Sequence, residues 1–234
     1  MTRVAKFYKA VDTAKDGDAF VVRLDGKPVK TPARALLALP TMKLADAIAQ
    51  EWRAQTDVLV PTTMPLTRFA YAAIDVAPTH RDRLIEETLA FGKSDLLCYR
   101  AEVPAALVVR QNESWNPLLA WAAERFGARL KTGTGIAFVD QSAESQEAFA
   151  VGVLTRDDFA LAGLHVATSL TGSLVLGLAL LEGRVTAQEA FALSCLDETF
   201  QAEAWGRDAE AAARAERLGA ELAAIERFLS LSRP

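Results

Sequence analysis

"FALAGLHVATSLTGSLVLGLALL", Phe159 to Leu181, decides between two kinds of protein. Its 23 residues include no Asp, Glu, Lys or Arg, and a run of that length can cross a bilayer. Three features oppose a membrane span. His165 lies within it, Thr168, Ser169 and Thr171 add hydroxyls, and Gly172-Ser173 interrupts it in the middle. Gly/Ser pairs are where helices kink, and a helix apolar on all sides also suits the core of a large domain. The run therefore reads as two core helices, or one kinked helix, of a soluble bundle, with no stable membrane insertion. His165 inside it reads as a core histidine with satisfied ring nitrogens.

The rest of the chain supports a globular protein. Its 234 residues suffice for one large domain or two small ones, half of them apolar and about a quarter charged. A net charge of -4 gives no basic footprint for nucleic acid. Cys98 and Cys195 are too few for a disulfide framework and form no C-x-x-C pair, which leaves out a thiolate zinc site. Both are expected to be buried, inert thiols. The N-terminus, "MTRVAKFYKAV", lacks the apolar segment of a secretory signal and is too short for a transit peptide, so a cytoplasmic location is expected.

Near the N-terminus the pattern is β. Phe20–Leu24 is followed by Asp25-Gly26, a hairpin signal because both central residues of a type I′ turn need positive φ. Lys27–Thr31 and Ala35–Leu39 would add further strands, with Pro28 confined to an edge or bulge because it cannot donate to a ladder. Arg23, Lys27, Lys30 and Arg34 give this region a modest positive face. Thr41 is placed to cap a helix whose Leu44, Ile48 and Trp52 share one face. Helices are expected near Leu66–Val76 and Thr79–Gly92, the second with Thr79 and Asp82 as a capping pair. Ser94–Ala101 reads as a short strand or a helix start. Pro117 is expected near a helix N-terminus and Gly127 at its end. From Ser142 onward the pattern is helical. The fold class is α+β: a β-rich N-terminal domain at 1–65, then a larger helical domain at 66–234.

One helical segment carries the densest chemistry. In "LDETFQAEAWGRDAE", Leu196 to Glu210, the spacing of Glu198, Gln201, Trp205 and Asp208 places them on one helix face. Asp197 with Gln201, and Glu203 with Arg207, form neighbouring pairs. A di-metal carboxylate site needs histidines that this helix lacks, and no phosphate loop accompanies the acids to support a magnesium site. A carboxylate-dependent hydrolase using Glu198 and a second acid such as Asp208 is one alternative; a solvated helix face is another. "KTGTGIAF" lacks the ending of a P-loop and reads as a turn. Cys98 sits in the apolar "DLLCYR", as a packed thiol does. Trp205 among acids suits a groove or the anchor of an interface.

In order along the chain stand "FYKAV", "LDGKPVKTPARALLALPT", "AIAQEW", "MPLTRFAYAAID", "DLLCYRAE", "WNPLLAWA", "TGSLVLGLAL" and "LDETFQAEAWGRDAE". From Lys6 to Arg214 this series resembles the ATP synthase assembly factor 2 family, chaperones for the α subunit of the F-type ATP synthase head. The resemblance implies a small N-terminal α/β part joined to a helical domain. It also implies a protein that holds the unassembled α subunit from aggregating, without cofactor or enzymatic activity. The family's acidic motif falls on Asp197, Glu198, Gln201, Trp205, Gly206, Asp208 and Glu210, with Glu198 expected to matter most, and its Glu-Trp pair on Glu51 and Trp52. Because the chain starts almost at the first motif, a bacterial member is expected.

Overall fold

Two Asp-Gly dipeptides set the N-terminal sheet. Strand β1 (Val11–Asp16) pairs antiparallel with β2 (Ala19–Leu24), from Val11 opposite Leu24 to Asp16 opposite Ala19. The turn between them contains Gly17 at φ 61°. Asp25 and Gly26, at φ 49° and 77°, then return the chain into β3 (Lys27–Pro28). This is the positive-φ pair that a two-residue hairpin needs. Pro28 stands on the edge strand of the order β1-β2-β3. The two longer arms expected after the turn shrink to β3 and the isolated bridges Lys30–Leu36 and Phe20–Leu39. Pro28 and Pro32 have no N–H to extend a ladder. Arg23 bonds Asp12 across β1 and β2 at 2.6 Å, which neutralises part of the positive face.

The computed structural model describes residues 4–135, 137–206 and 208–233. It divides into two units. The first runs to Arg81 and takes in Asp157–Gly163 and the segment from Arg227; the second comprises Asp82–Arg156 and Leu164–Glu226. The expected division after residue 65 does not coincide with this one, because later segments complete the first core. The Phe228 ring packs 5.6 Å from Phe69 and 6.0 Å from Phe159.

In the first unit, α1 (Met42–Arg53) lies on β1 and β2. Thr41 caps it: the hydroxyl accepts from the Leu44 N–H at 3.0 Å and donates to the Leu231 carbonyl at 2.5 Å. Leu44, Ile48 and Trp52 are buried on its inner face, the two aliphatic side chains contributing about 1.5–3 kcal/mol each. Glu51 reaches the N-terminus of α2 (Pro65–Tyr71), accepting from the N–H groups of Leu66 and Thr67 and from the Thr67 hydroxyl. A carboxylate there satisfies orphan donors and meets the positive end of the helix dipole. Burial pushes the Glu51 carboxyl up, against the pull of those bonds. A wider-wound stretch, Ala72–Val76, follows α2. The Thr79 hydroxyl donates back to the carbonyls of Asp75 and Val76, so it closes this segment and does not pair with Asp82 as expected.

The second unit holds α3 (Arg81–Lys93) from Asp82 on, then a short 3-10 turn at Leu96–Cys98 leading into β4 (Tyr99–Arg100). Helix α4 (Ala105–Phe126) ends at Gly127, φ 82°, in the left-handed conformation. Pro117 lies inside α4, not near its start, and deprives the helix of one N–H. Strand β5 (Gly133–Thr134) pairs parallel with β4. The predicted turn "KTGTGIAF" includes Ile136, which lies outside the described residues. Next come α5 (Ala143–Leu154), α6 (Asp158–Thr171), α7 (Leu174–Glu182), α8 (Ala187–Ser194), α9 (Leu196–Trp205) and α10 (Ala209–Ser232). Helix α6 begins in the first unit, and α10 ends in it.

The deciding run forms α6 and α7, broken at Gly172, whose φ is 68°. Ser173 then caps α7 through Leu176 N–H, and Leu174 to Leu181 are all buried. Among the described residues, no helix is long and apolar enough to cross a membrane. Asp95 secures the break. Fully buried, it accepts from the Ser173 hydroxyl at 2.7 Å and from the N–H groups of Leu97 and Val175. His165 is half-buried, its Nδ1 3.2 Å from the Thr88 hydroxyl and its Nε2 3.8 Å from Glu87. Burial pushes its pKa down. Cys98 is buried, its thiol pushed up to about 12, as an inert packed thiol should be. Cys195 departs from expectation: it is only half-buried.

Candidate functional site

Helix α9 divides its acids between two faces. Asp197 turns to α4, where its carboxylate accepts from Gln111 Nε2 at 2.8 Å. Gln111 is itself buried, and its side-chain Oε1 accepts from the Ala101 N–H. Glu203 bonds Arg110 at 2.9 Å, and the same guanidinium lies 5.0 Å from the centre of the Phe200 ring. That bond holds the Glu203 carboxyl below its usual range. Asp197, Phe200 and Glu203, three apart, thus fasten α9 to α4. Arg100 sits buried behind them, its guanidinium 5.1 Å from the Trp115 ring and bonded to the Gln111 carbonyl and Asn116. The expected pairing of Glu203 with Arg207 falls outside the described residues, which exclude Arg207.

Glu198, Gln201 and Trp205 occupy the other face. With Asp208, Arg214 and Phe191 they line a groove of about 520 Å³ between α9 and α10. Four of the five predicted residues therefore meet at one site; Asp197 does not. Asp208 arrives by a different route from the expected one. Helix α9 stops at Trp205, and Gly206 takes φ 84°, ψ 168°, a backbone state open essentially to glycine alone. Asp208 then caps α10, accepting from the Ala211 N–H at 2.7 Å. The motif is two helices meeting at an elbow, with Trp205 at the bend. The residue is 83% exposed, the largest value among the exposed large apolar residues described.

Arg110 and Gln111 were passed over in the sequence. They lie 93 and 86 residues from the acids they hold, so no local spacing links them. Glu51 and Trp52 line no part of the groove. Glu51 caps α2, and Trp52 is buried with its carbonyl accepting from the Tyr8 hydroxyl at 2.7 Å.

What can this arrangement do? Glu198 and Asp208 both stand exposed to solvent, and Asp208 is engaged as a cap. Solvent exposure denies both the low-dielectric setting that tunes a general acid away from its ordinary pKa. Among the described residues no three His, Cys, Asp or Glu side chains cluster closely enough to hold a metal. An exposed indole rimmed by carboxylates suits a surface that is apolar at its centre and basic at its edge.

A family model described as ATP12 chaperone protein matches residues 5–123, just over half the chain and ending before α9. The crystal structure of Atp12 from Paracoccus denitrificans is 42% identical, with a TM-score of 0.94 over 98% of this chain and 99% of that one. The Atu1473 protein of Agrobacterium tumefaciens is 43% identical, with a TM-score of 0.92 over 98% of this chain and 86% of that one. Protein atp12, mitochondrial, of Schizosaccharomyces pombe is 25% identical over 213 residues, which cover 86% of this chain and 73% of that protein.

Proposed function

The chain belongs to the ATP12 chaperone family, and from that premise we propose that it binds the unassembled α subunit of an F-type ATP synthase through the α9–α10 elbow. An α subunit without its β neighbours exposes the apolar, polar-rimmed surface it would otherwise bury, and such patches aggregate. A protein that covers this surface lowers the free concentration of the aggregating species by mass action, with no chemical step. It must also release its client to the proper neighbour, so its interface needs few anchors and a charged rim. The observation that carries this reading is Trp205, 83% exposed at the end of a helix that Arg110 and Gln111 of α4 fasten through Glu203 and Asp197. Large aromatic side chains are the common anchors of interfaces. Glu198, Gln201 and Asp208 would set orientation and partner choice around it. The proposed place of action is the bacterial cytoplasm.

Co-purification from the native cell tests the proposal. Tagged protein should bring down the α subunit at neutral pH and moderate salt. Trp205→Ala should weaken capture about tenfold or more, in the range of a hot-spot truncation. Recovery of other ATP synthase subunits without α, or undiminished capture by Trp205→Ala, would contradict it.

A further inference from the structure

Helix α5 reads AESQEAFAVGVL, and after Glu147 it carries no charge as far as Leu154. Its inner face buries Ser145, Phe149 and Val153. Its outer face should then be polar, as on ordinary surface helices. Instead Val151 is 65% and Leu154 53% exposed. Beside it, α3 turns Ile85, Leu89 and Ala90 towards the same side. The two helices bound a groove of about 470 Å³, floored by these side chains with Ala150 and Leu154. Its walls are fixed: Gln146 Nε2 donates to the Gly92 carbonyl at 3.0 Å, and a Cβ on Gly92 would come within 3.4 Å of Phe149. The rim carries Asp82, Glu86 and Glu147 against Lys93 alone. None of the three acids has an ion pair or side-chain hydrogen bond among the described residues. An open surface groove between two helices, apolar in its floor and acidic at its edge, fits a helix with one apolar stripe and basic flanks.

We propose that the α3–α5 groove is a second docking site, which takes a basic amphipathic helix of the client polypeptide. The proposal rests on the chaperone reading only for the owner of that helix; the chemistry of the groove stands apart from it. The probe is a fluorescein-labelled peptide with Leu at i, i+3, i+4 and i+7 and Lys on its polar face, titrated against the full chain and followed by anisotropy. Wild type should bind it, and circular dichroism should show the peptide gaining helix. Glu86→Lys/Glu147→Lys changes only exposed rim residues and should weaken binding at least tenfold. Leu154→Asn should do the same, whereas Trp205→Ala should leave peptide binding unchanged. A matching peptide with Glu in place of Lys should not bind. Equal affinity for the double variant and wild type would overturn the proposal. So would a wild-type dimer in sedimentation that Leu154→Asn abolishes, since a second copy would then fill the groove. Peptide binding without α-subunit binding would overturn the client as the helix's owner. Loss of the groove with α-subunit capture still dependent on Trp205 would overturn the groove and leave the function.

Discussion

Asp197 and Glu198 are neighbours with opposite tasks. About 100° of helix rotation separates consecutive residues, which turns one to α4 and the other to the groove. Sequence spacing makes that division legible in principle, yet only the fold shows which direction is inward. Asp197→Ala should cost about 1–2 kcal/mol, because it leaves the buried Gln111 amide without its acceptor. Glu198→Ala should stay within about 0.5 kcal/mol of wild type, as exposed substitutions do. Urea denaturation checks both, and equal losses would remove the distinction. Asp95 offers a pH test. Burial raises its carboxyl from the ordinary 3.8 to about 6, its donors notwithstanding. The folded state thus holds that proton more tightly than the unfolded chain. The resulting stability is complete below about pH 4 and is lost as pH rises through about 6, a change of about 3 kcal/mol. The depressed carboxyls of Glu87, Glu182, Glu189 and Glu203 act in the opposite sense. The quantity to measure is therefore the difference between wild type and Asp95→Asn from pH 4 to 7. It should fall across that window, and a flat difference would contradict the assignment.

At the scale of elements, the signals that survived were those with a steric cause. Asp25-Gly26, Thr41, Gly127 and Gly172-Ser173 each mark a backbone state that few other residues adopt or cap, and each stands where the spacing placed it. Strand β1 was not singled out, although Asp16-Gly17 repeats the Asp-Gly cue. The continuous helix read through Asp208 failed for a related reason. Gly206 was taken as a motif residue, when a glycine with an aspartate two residues on and an alanine-rich run after it also spells a helix stop and a new cap. Close packing of α6 on α7 was invisible in the sequence. A Cβ on Gly177 would stand 2.2 Å from Thr168 Oγ1 and 3.2 Å from the Thr168 backbone nitrogen. Gly177→Ala should cost about 1–3 kcal/mol by overpacking. In α10 the Cβ of Gly219→Ala would meet only Phe191 at 3.9 Å, so this change should add about 0.5–1 kcal/mol through helix propensity. Melting curves of the two variants should move in opposite directions; a shift of the same sign would refute the packing argument.

For the molecule as a whole, composition and the missing catalytic constellations pointed away from an enzyme, but a partner could be named only through resemblance to a family. A binding surface has no compositional signature as sharp as a metal or nucleophile motif, since its residues are ordinary ones placed outward by the fold. In the proposed function, the Trp205 elbow covers the α subunit. The most direct test of that claim is light scattering by the refolding α subunit with excess chaperone present. Wild type should suppress the scattering, while Trp205→Ala and Glu198→Lys, at unchanged helicity, should leave most of it. Undiminished suppression by both variants would contradict the claim.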